Sequence, residues 1–318
     1  MGAYILRRLL QLIPVVVLSS VLVFLLLHLV PGDPAETVAG PDATPDVVAA
    51  VRHKMGLDQP LAVQYGRWLG NIARGDLGTS YISHLPVIDL VGYAFPATLQ
   101  LTLVALVLAL VISLPLGVLA SLKQASKLDL VVQGYTALGL GVPNFWLGIL
   151  LILVFALFLG LLPPGGRIDP MQNPTMGLKT LILPAVTLGI QISAVFTRFV
   201  RTAMLEVLHE DYVRTARAKG LPERVVVVRH ALRSALVPVV TVVGLQFGRL
   251  LGGAVVVESV FAWPGVGRLI IQAVEQRDYT VVQAGLLGLV AVFLLINLMT
   301  DIMYAFLDPR IRLGAGMG

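Results

Sequence analysis

Long apolar runs alternate along this chain with shorter polar segments punctuated by Gly and Pro. Runs with the length of a membrane span lie at about 9–30, 95–120, 131–162, 181–203, 236–258 and 280–306; roughly 20 apolar residues in a helix cross a hydrocarbon core. The pattern predicts an all-α integral membrane protein with six transmembrane helices. The third run is interrupted by Gly141-Val142-Pro143-Asn144. Proline lacks the backbone donor that the helical ladder needs, so a broken helix is expected there. Broken helices at membrane depth persist where they face protein or a wet cavity. Pro143 and Asn144 therefore mark either a packing kink or a wall of a solute path.

The first run follows Arg7 and Arg8 and is followed by Pro31-Gly32-Asp33-Pro34. A cleaved signal has a shorter apolar core, about 7–15 residues, with small residues after it. An uncleaved first span is the expectation. Between the first two runs, residues 31–93 are polar and rich in turn dipeptides. Amphipathic pieces at Val47–Met55 and Val63–Ile72 predict a small subdomain outside the membrane. The chain thus divides into a first span (1–30), an extracytoplasmic segment (31–93), a transmembrane core (94–306) with a charged loop at about 204–235, and a tail (307–318).

Composition supports lipid as the solvent. Hydrophobic residues make up 57% of the 318 and charged residues only 13%; the mean hydropathy is +0.88. A soluble domain carries about 25% charged residues. The formal charge of +5 is read as membrane topology rather than affinity for nucleic acid. Basic residues cluster at Arg7, Arg8, Lys123, Lys127, Arg198, Arg201, Arg214, Arg217, Lys219, Arg224, Arg229, Arg233, Arg310 and Arg312, whereas the short loops of opposite parity hold Arg167, Lys179, Arg268 and Arg277. By the positive-inside rule both termini face the cytoplasm and 31–93 lies outside. The chain has no cysteine, which excludes disulfides and thiolate chemistry.

The segment from Met204 to Ala235 is the most charged loop. Glu206 to Lys219 reads as one helix, with Leu205, Leu208, Tyr212 and Ala216 on one face. Gly220 suits a helix C-terminal cap and Pro222 the first turn of the next helix. Two short helices joined by a Gly-Leu-Pro corner are expected under the membrane. A basic helix lying on anionic lipid is one use for such a loop. Docking to a protein is the other, favoured by the mixed charge of Glu206, Glu210 and Asp211 among arginines and by the small residues Thr215, Ala216 and Ala218.

The stretch Asp211-Tyr212-Val213-Arg214-Thr215-Ala216-Arg217-Ala218-Lys219-Gly220-Leu221 resembles the cytoplasmic "EAA" loop of ABC importer permeases. Arg214, Thr215 and Ala216 stand at the Glu-Ala-Ala positions, so only the second Ala matches; Gly220 matches the Gly. His230-Ala231-Leu232-Arg233 stands at the Ile-x-Leu-Pro ending, with Leu232 matching and the Pro absent. These departures are those of the dipeptide/oligopeptide branch. Further segments resemble the same branch in order: Arg7-Arg8 through Pro34, Gly56-Leu57-Asp58-Gln59-Pro60, Gly75-Asp76-Leu77-Gly78-Thr79-Ser80, Phe95-Pro96-Ala97-Thr98, Pro143-Asn144-Phe145-Trp146-Leu147-Gly148, Glu258 through Gly267, and Asp308-Pro309-Arg310-Ile311-Arg312. The likeness covers nearly the whole chain and is greatest to the first permease of a pair.

The resemblance implies an importer in a bacterial or archaeal cytoplasmic membrane. A second, homologous permease would complete the pore, two ATPase subunits carrying ATP and Mg would dock from the cytoplasm, and an extracytoplasmic solute-binding protein would deliver solute. The coupling loop would comprise Glu206, Glu210, Asp211, Tyr212, Arg214, Thr215, Ala216, Arg217, Lys219, Gly220 and Leu221. Tyr65, Trp68 and Tyr81 are candidate contacts to the binding protein, or core residues of the outer subdomain. Relatives of this branch carry dipeptides, oligopeptides, nickel chelates, glutathione or sugars.

No catalytic residue, metal site or cofactor is expected on this chain. No run matches the phosphate-binding loop that ends Gly-Lys-Ser/Thr; Gly177-Leu178-Lys179-Thr180 fails in spacing. The histidines (His28, His53, His84, His209, His230) are scattered, and His28 reads as interfacial. An ion-coupled secondary transporter or channel is the rival class, but such carriers place carboxylates near the midplane, and here acidic residues sit in loops and at span ends. Arg249 is the charge within a span. With Gln246 it is expected to face the pore; the alternatives are that it pairs with the second permease or reaches inward along the helix.

Overall fold

The computed structural model describes residues 2–29, 33–40 and 42–307. Pro31-Gly32, the side chain of His28 and the Asp308–Arg312 ending lie outside the described residues. In chain order the helices are α1 (Gly2–Leu29), α2 (Pro34–Ala39), α3 (Pro45–Met55), α4 (Leu61–Ala73), α5 (Val87–Leu122), α6 (Lys127–Gly141), α7 (Asn144–Leu151, continuing as a π-helical stretch Ile152–Phe158), α8 (Pro174–Leu208), α9 (Asp211–Ala218), α10 (Glu223–Val225, continuing as a π-helical stretch Val226–Leu232), α11 (Arg233–Val260), α12 (Val266–Glu275) and α13 (Tyr279–Leu307). Among the described residues there is no strand beyond the isolated bridge Thr79–Pro86. Five helices are long and apolar enough to cross a membrane, and α6 with α7 makes a sixth span bent by 104°. The bend falls at Val142-Pro143, where the proline ends one ladder and starts the next.

The chain forms two compact units: Leu99–Trp263 with Leu295–Gly318, and Gly2–Thr98 with Pro264–Leu294. In the first unit α8 is central. It buries 72% of its apolar window, against 17% for α1. Small residues let the helices approach closely, as they do in lipid: a side chain on Gly117 would come within 2.7 Å of Val200, and one on Gly139 within 2.7 Å of Ala194. Asp129, at the start of α6, is 1% exposed. Arg201 of α8 donates to it through Nε at 2.7 Å and Nη2 at 2.8 Å, and the Ala125 N–H adds a third bond. The charge is therefore paired and hydrogen-bonded, which is the condition for burying one.

The second unit joins distant segments. Val87, Val91 and Ala94 at the start of α5 pack with Val266, Ile270 and Ala273 of α12 and with Val281 and Val282 of α13. Val266 N–H donates to Thr98 Oγ1 at 2.8 Å. Asp278, 2% exposed, accepts from the hydroxyls of Ser80 and Thr280. The linear segment 31–93 thus shares its core with the first span and with 264–294. Helix α12 was not expected from the sequence; its apolar residues Val266, Ile270 and Ala273 face inward at helical spacing, but ten residues are too few to read as a span.

Candidate functional site

The loop between α8 and α11 departs in two respects from its expected shape. Glu206–Lys219 is not one helix. Helix α8 ends at Leu208, and Glu210 in extended conformation starts α9. The register therefore restarts, and the buried face is Val213 and Ala216, packed with Val226 and Val207, rather than Tyr212 and Ala216. Tyr212 is 43% exposed. Glu206, Asp211, Arg214, Thr215, Arg217, Lys219 and Leu221 are likewise exposed. One face of α9 holds the loop to the spans, and the other presents alternating charge to the outside.

The corner after α9 is built as a Schellman turn. Leu221 N–H bonds to Ala216 O at 3.4 Å and Gly220 N–H to Arg217 O at 2.9 Å. Gly220 sits at φ +76°, a left-handed conformation that costs other L-residues roughly 1–2 kcal/mol. Pro222 is the residue preceding the next helix rather than its first turn. Across the corner Arg217 grips Glu223 with two bonds, 2.8 and 3.2 Å. The guanidinium beside Glu223 lowers that carboxyl below its usual value. The pair was not foreseen, although Arg217-x5-Glu223 across a Gly-Leu-Pro corner was its signal.

In the bent third span, Asn144 lies against α11: a side chain on Gly253 would come within 3.3 Å of its Nδ2. The buried Oδ1 of Asn144 and Oε1 of Gln246 have no hydrogen-bond partner among the described residues. Gln246 is 6% exposed, so it faces into the chain. Arg249 is exposed and lies on a different face, with Leu245, Gly252, Val256 and Ser259 at helical spacing. The two residues grouped from the sequence are thus separated, one inside the subunit and one on its surface. Pro143 is exposed at the bend.

Of the three candidate contact residues in the outer segment, Tyr65 and Trp68 have internal partners. Tyr65 Oη and Ser20 Oγ share a hydrogen bond of 2.8 Å. Phe24 packs edge-on against Tyr65 and tilted against Trp68, with centroids 5.4 and 5.7 Å apart. Tyr65 and Trp68 thus fasten α4 to α1. Burial, with Asp278 nearby, pushes the Tyr81 hydroxyl up to about 12. Among the described residues no cluster of three or more His, Cys, Asp or Glu could hold a metal.

Family models match in two blocks: the N-terminal membrane component of binding-protein-dependent transport systems over residues 1–102, and the inner membrane component of those systems over residues 113–313. The chain is 47% identical over 309 residues to a glutathione transport system permease protein, GsiC, of Escherichia coli O6:H1, covering 97% of this chain and 98% of that one. A GsiC of Salmonella paratyphi A is 46% identical over the same length. Among solved structures, the MetNI methionine ABC transporter in an inward-facing conformation matches with TM-score 0.58 and 22% identity, covering 70% of this chain and 97% of that chain; the likeness is one of fold. The chain belongs to the binding-protein-dependent transport system inner membrane component family: it is a multi-pass inner-membrane permease subunit of an ABC importer, and ATP hydrolysis belongs to partner subunits.

Proposed function

We propose that this subunit forms half of an ATP-driven import pore for small peptides, with glutathione, itself a tripeptide, as the first solute to test. The observation that carries the substrate reading is near-full-length identity of 46–47% to glutathione permeases. Peptides remain the class, and dipeptides or oligopeptides are the alternatives within it. A second homologous permease completes the pore, two ATPase subunits dock from the cytoplasm, one of them on the α9 corner of this chain, and an extracytoplasmic binding protein supplies solute. Helix α9 supports that docking. Its inner face is anchored by Val213 and Ala216, while Asp211, Tyr212, Arg214 and Arg217 are exposed on the outer side, where a partner would meet them.

Arg249 fits a solute path. A charge on the surface of an apolar span is costly against lipid and belongs against water or a partner. Residues Leu245, Arg249, Gly252, Val256 and Ser259 would then line the path or the second permease.

The test is affinity purification of the tagged chain with its neighbours, followed by reconstitution with the binding protein. ATP-dependent uptake of labelled glutathione, at least tenfold above that of a nickel chelate or a disaccharide, is expected. Uptake of dipeptides but not glutathione would move the substrate within the class. Uptake driven by an ion gradient without nucleotide would overturn the reading. Arg249→Met should lower uptake without loss of assembly; unchanged uptake would remove Arg249 from the path.

A further inference from the structure

The sequence places α4 outside the membrane, but its fastening to α1 puts it lower. On α1 the buried side chains among those described are Ser20, Val23 and Phe24, while Leu18, Leu22 and Leu25 beside them are exposed. Tyr65 and Trp68 of α4 meet α1 at Ser20 and Phe24. Ser20 stands nine residues before the end of α1 at Leu29; at 1.5 Å per residue that is about 13 Å along the axis. Every residue from Val21 to Val30 except His28 is apolar. The interfacial layer beyond a hydrocarbon core is only about 5–8 Å deep on each side. The bond between Tyr65 Oη and Ser20 Oγ therefore lies below the headgroups, at the depth of the outer leaflet.

Around its axis α4 (Leu61–Ala73) divides into three sides. Tyr65, Trp68 and Ile72 share one, on which Tyr65 and Trp68 pack with Phe24 of α1. Gln64, Arg67 and Asn71 form a polar edge. Gln64 Nε2 donates to the carbonyls of Leu57 and Gln59 at 3.2 and 2.8 Å, so this edge is turned to the polar loop after α3. Ala62, Val63, Gly66, Leu69, Gly70 and Ala73 form the third side, and none of the six is polar. Ala62, Val63, Gly66, Leu69 and Ala73 are exposed, and nothing lies within 4 Å of a side chain placed on Gly66 or Gly70. An apolar side of this length is costly in water. Joined to a polar edge, it is the pattern of a helix that lies in a membrane interface.

We propose that α4 is an interfacial helix sunk in the outer leaflet, with the side from Ala62 to Ala73 against acyl chains and the edge from Gln64 to Asn71 towards headgroups and water. The lipid-facing surface of α1 at Leu18 and Leu22 then continues onto α4. Lipid, rather than the binding protein, covers this side: a soluble protein docks above the headgroups, and α4 is tied below them. Arg67, exposed on the polar edge, has a stem long enough to hold its guanidinium at headgroup level. Tyr65 and Trp68 are then anchors of α4 to the first span and not contacts for the binding protein. The proposal holds whichever solute the complex carries.

The experiment places single cysteines on the apolar side at Ala62, Leu69 and Ala73, on the polar edge at Arg67, in α3 at His53 and on the lipid side of α1 at Leu22. Each variant is assembled into the whole membrane complex, reconstituted in liposomes and spin-labelled. The signal of the unsubstituted complex, which has no thiol on this chain, is subtracted. Collision with oxygen, which concentrates in lipid, is compared with collision with a water-soluble nickel chelate. Ala62→Cys, Leu69→Cys and Ala73→Cys should favour oxygen about fivefold or more over Arg67→Cys and His53→Cys, and match Leu22→Cys within about twofold. All six positions are exposed, so a label displaces no core side chain, and each of the three on the apolar side decides independently. Nickel access there equal to that at His53→Cys would put this side in water and overturn the proposal. Exclusion of both reagents would mean that another subunit covers it, which overturns the proposal as well. Added binding protein should leave the three positions unchanged; protection of any of them would make this side a docking surface for that protein and overturn the assignment to lipid.

Discussion

Asp129 and Arg201 are 72 positions apart and form a deeply placed ion pair, with side chains 1% and 22% exposed. Taking both charges out of water is costly, and the pair stands because the bidentate geometry and the Ala125 N–H satisfy the carboxylate. Removing one partner is then far worse than removing both. Arg201→Leu should lower stability by about 3–5 kcal/mol, and Asp129→Leu with Arg201→Leu should recover most of it. Thermal unfolding of the detergent-solubilised chain, followed by gel filtration, measures this; equal losses in the single and double variants would mean the pair does not hold α6 to α8. The sequence showed Arg201 only as one of many inward basic residues, since nothing local connects it to a carboxylate so far upstream. Arg249 was legible for the opposite reason: a lone charge in an apolar span needs no partner to be noticed.

At the scale of the element, the α9 corner shows what period and punctuation can and cannot give. Gly220 and Pro222 marked the turn correctly, because a left-handed residue and a residue without a backbone donor have few other uses side by side. The break at His209-Glu210 carried no such mark, so one continuous helix was expected and Tyr212 was placed on the wrong face. The bend at Pro143 was visible by the same chemistry as the corner, whereas α12 was not, being too short for a span. Substituting Gly220 by Val tests the corner alone, because open space surrounds a side chain there and only the φ of +76° opposes it. The strain is roughly 1–2 kcal/mol. The complex should still assemble, uptake should fall about fivefold or more, and ATP hydrolysis should persist. Gly220→Asn, which tolerates the conformation, should retain most uptake. Full uptake in the Val variant would show that the corner does not transmit ATPase closure. The Arg217–Glu223 pair adds a sign to this. Because Arg217 lowers the Glu223 carboxyl, the pair is present above the ordinary carboxylate range and is lost as pH falls through the depressed value. Coupling should therefore be flat through neutral pH.

For the whole molecule the open question is which way it sits in the membrane, and the absence of cysteine makes it answerable. A single introduced thiol has no competitor. The loop around α9 carries Arg214, Arg217, Lys219, Arg224, Arg229 and Arg233 within twenty residues or so, a density that the positive-inside rule keeps in the cytoplasm. Residues of α3 carry less weight in that rule because they belong to a long loop, but parity across one span puts them outside. His53 and Lys219 are both exposed, so neither substitution disturbs a core. In intact cells with the outer membrane opened, an impermeant maleimide should label His53→Cys and leave Lys219→Cys unlabelled until the inner membrane is permeabilised. The reverse pattern would put the α9 corner on the side where there is no ATP. An ATPase could not then dock on it, and the outer segment would face the cytoplasm, where it could not meet an extracytoplasmic binding protein. One labelling experiment therefore bears on the coupling loop and the outer segment together, since both depend on the same inside and outside.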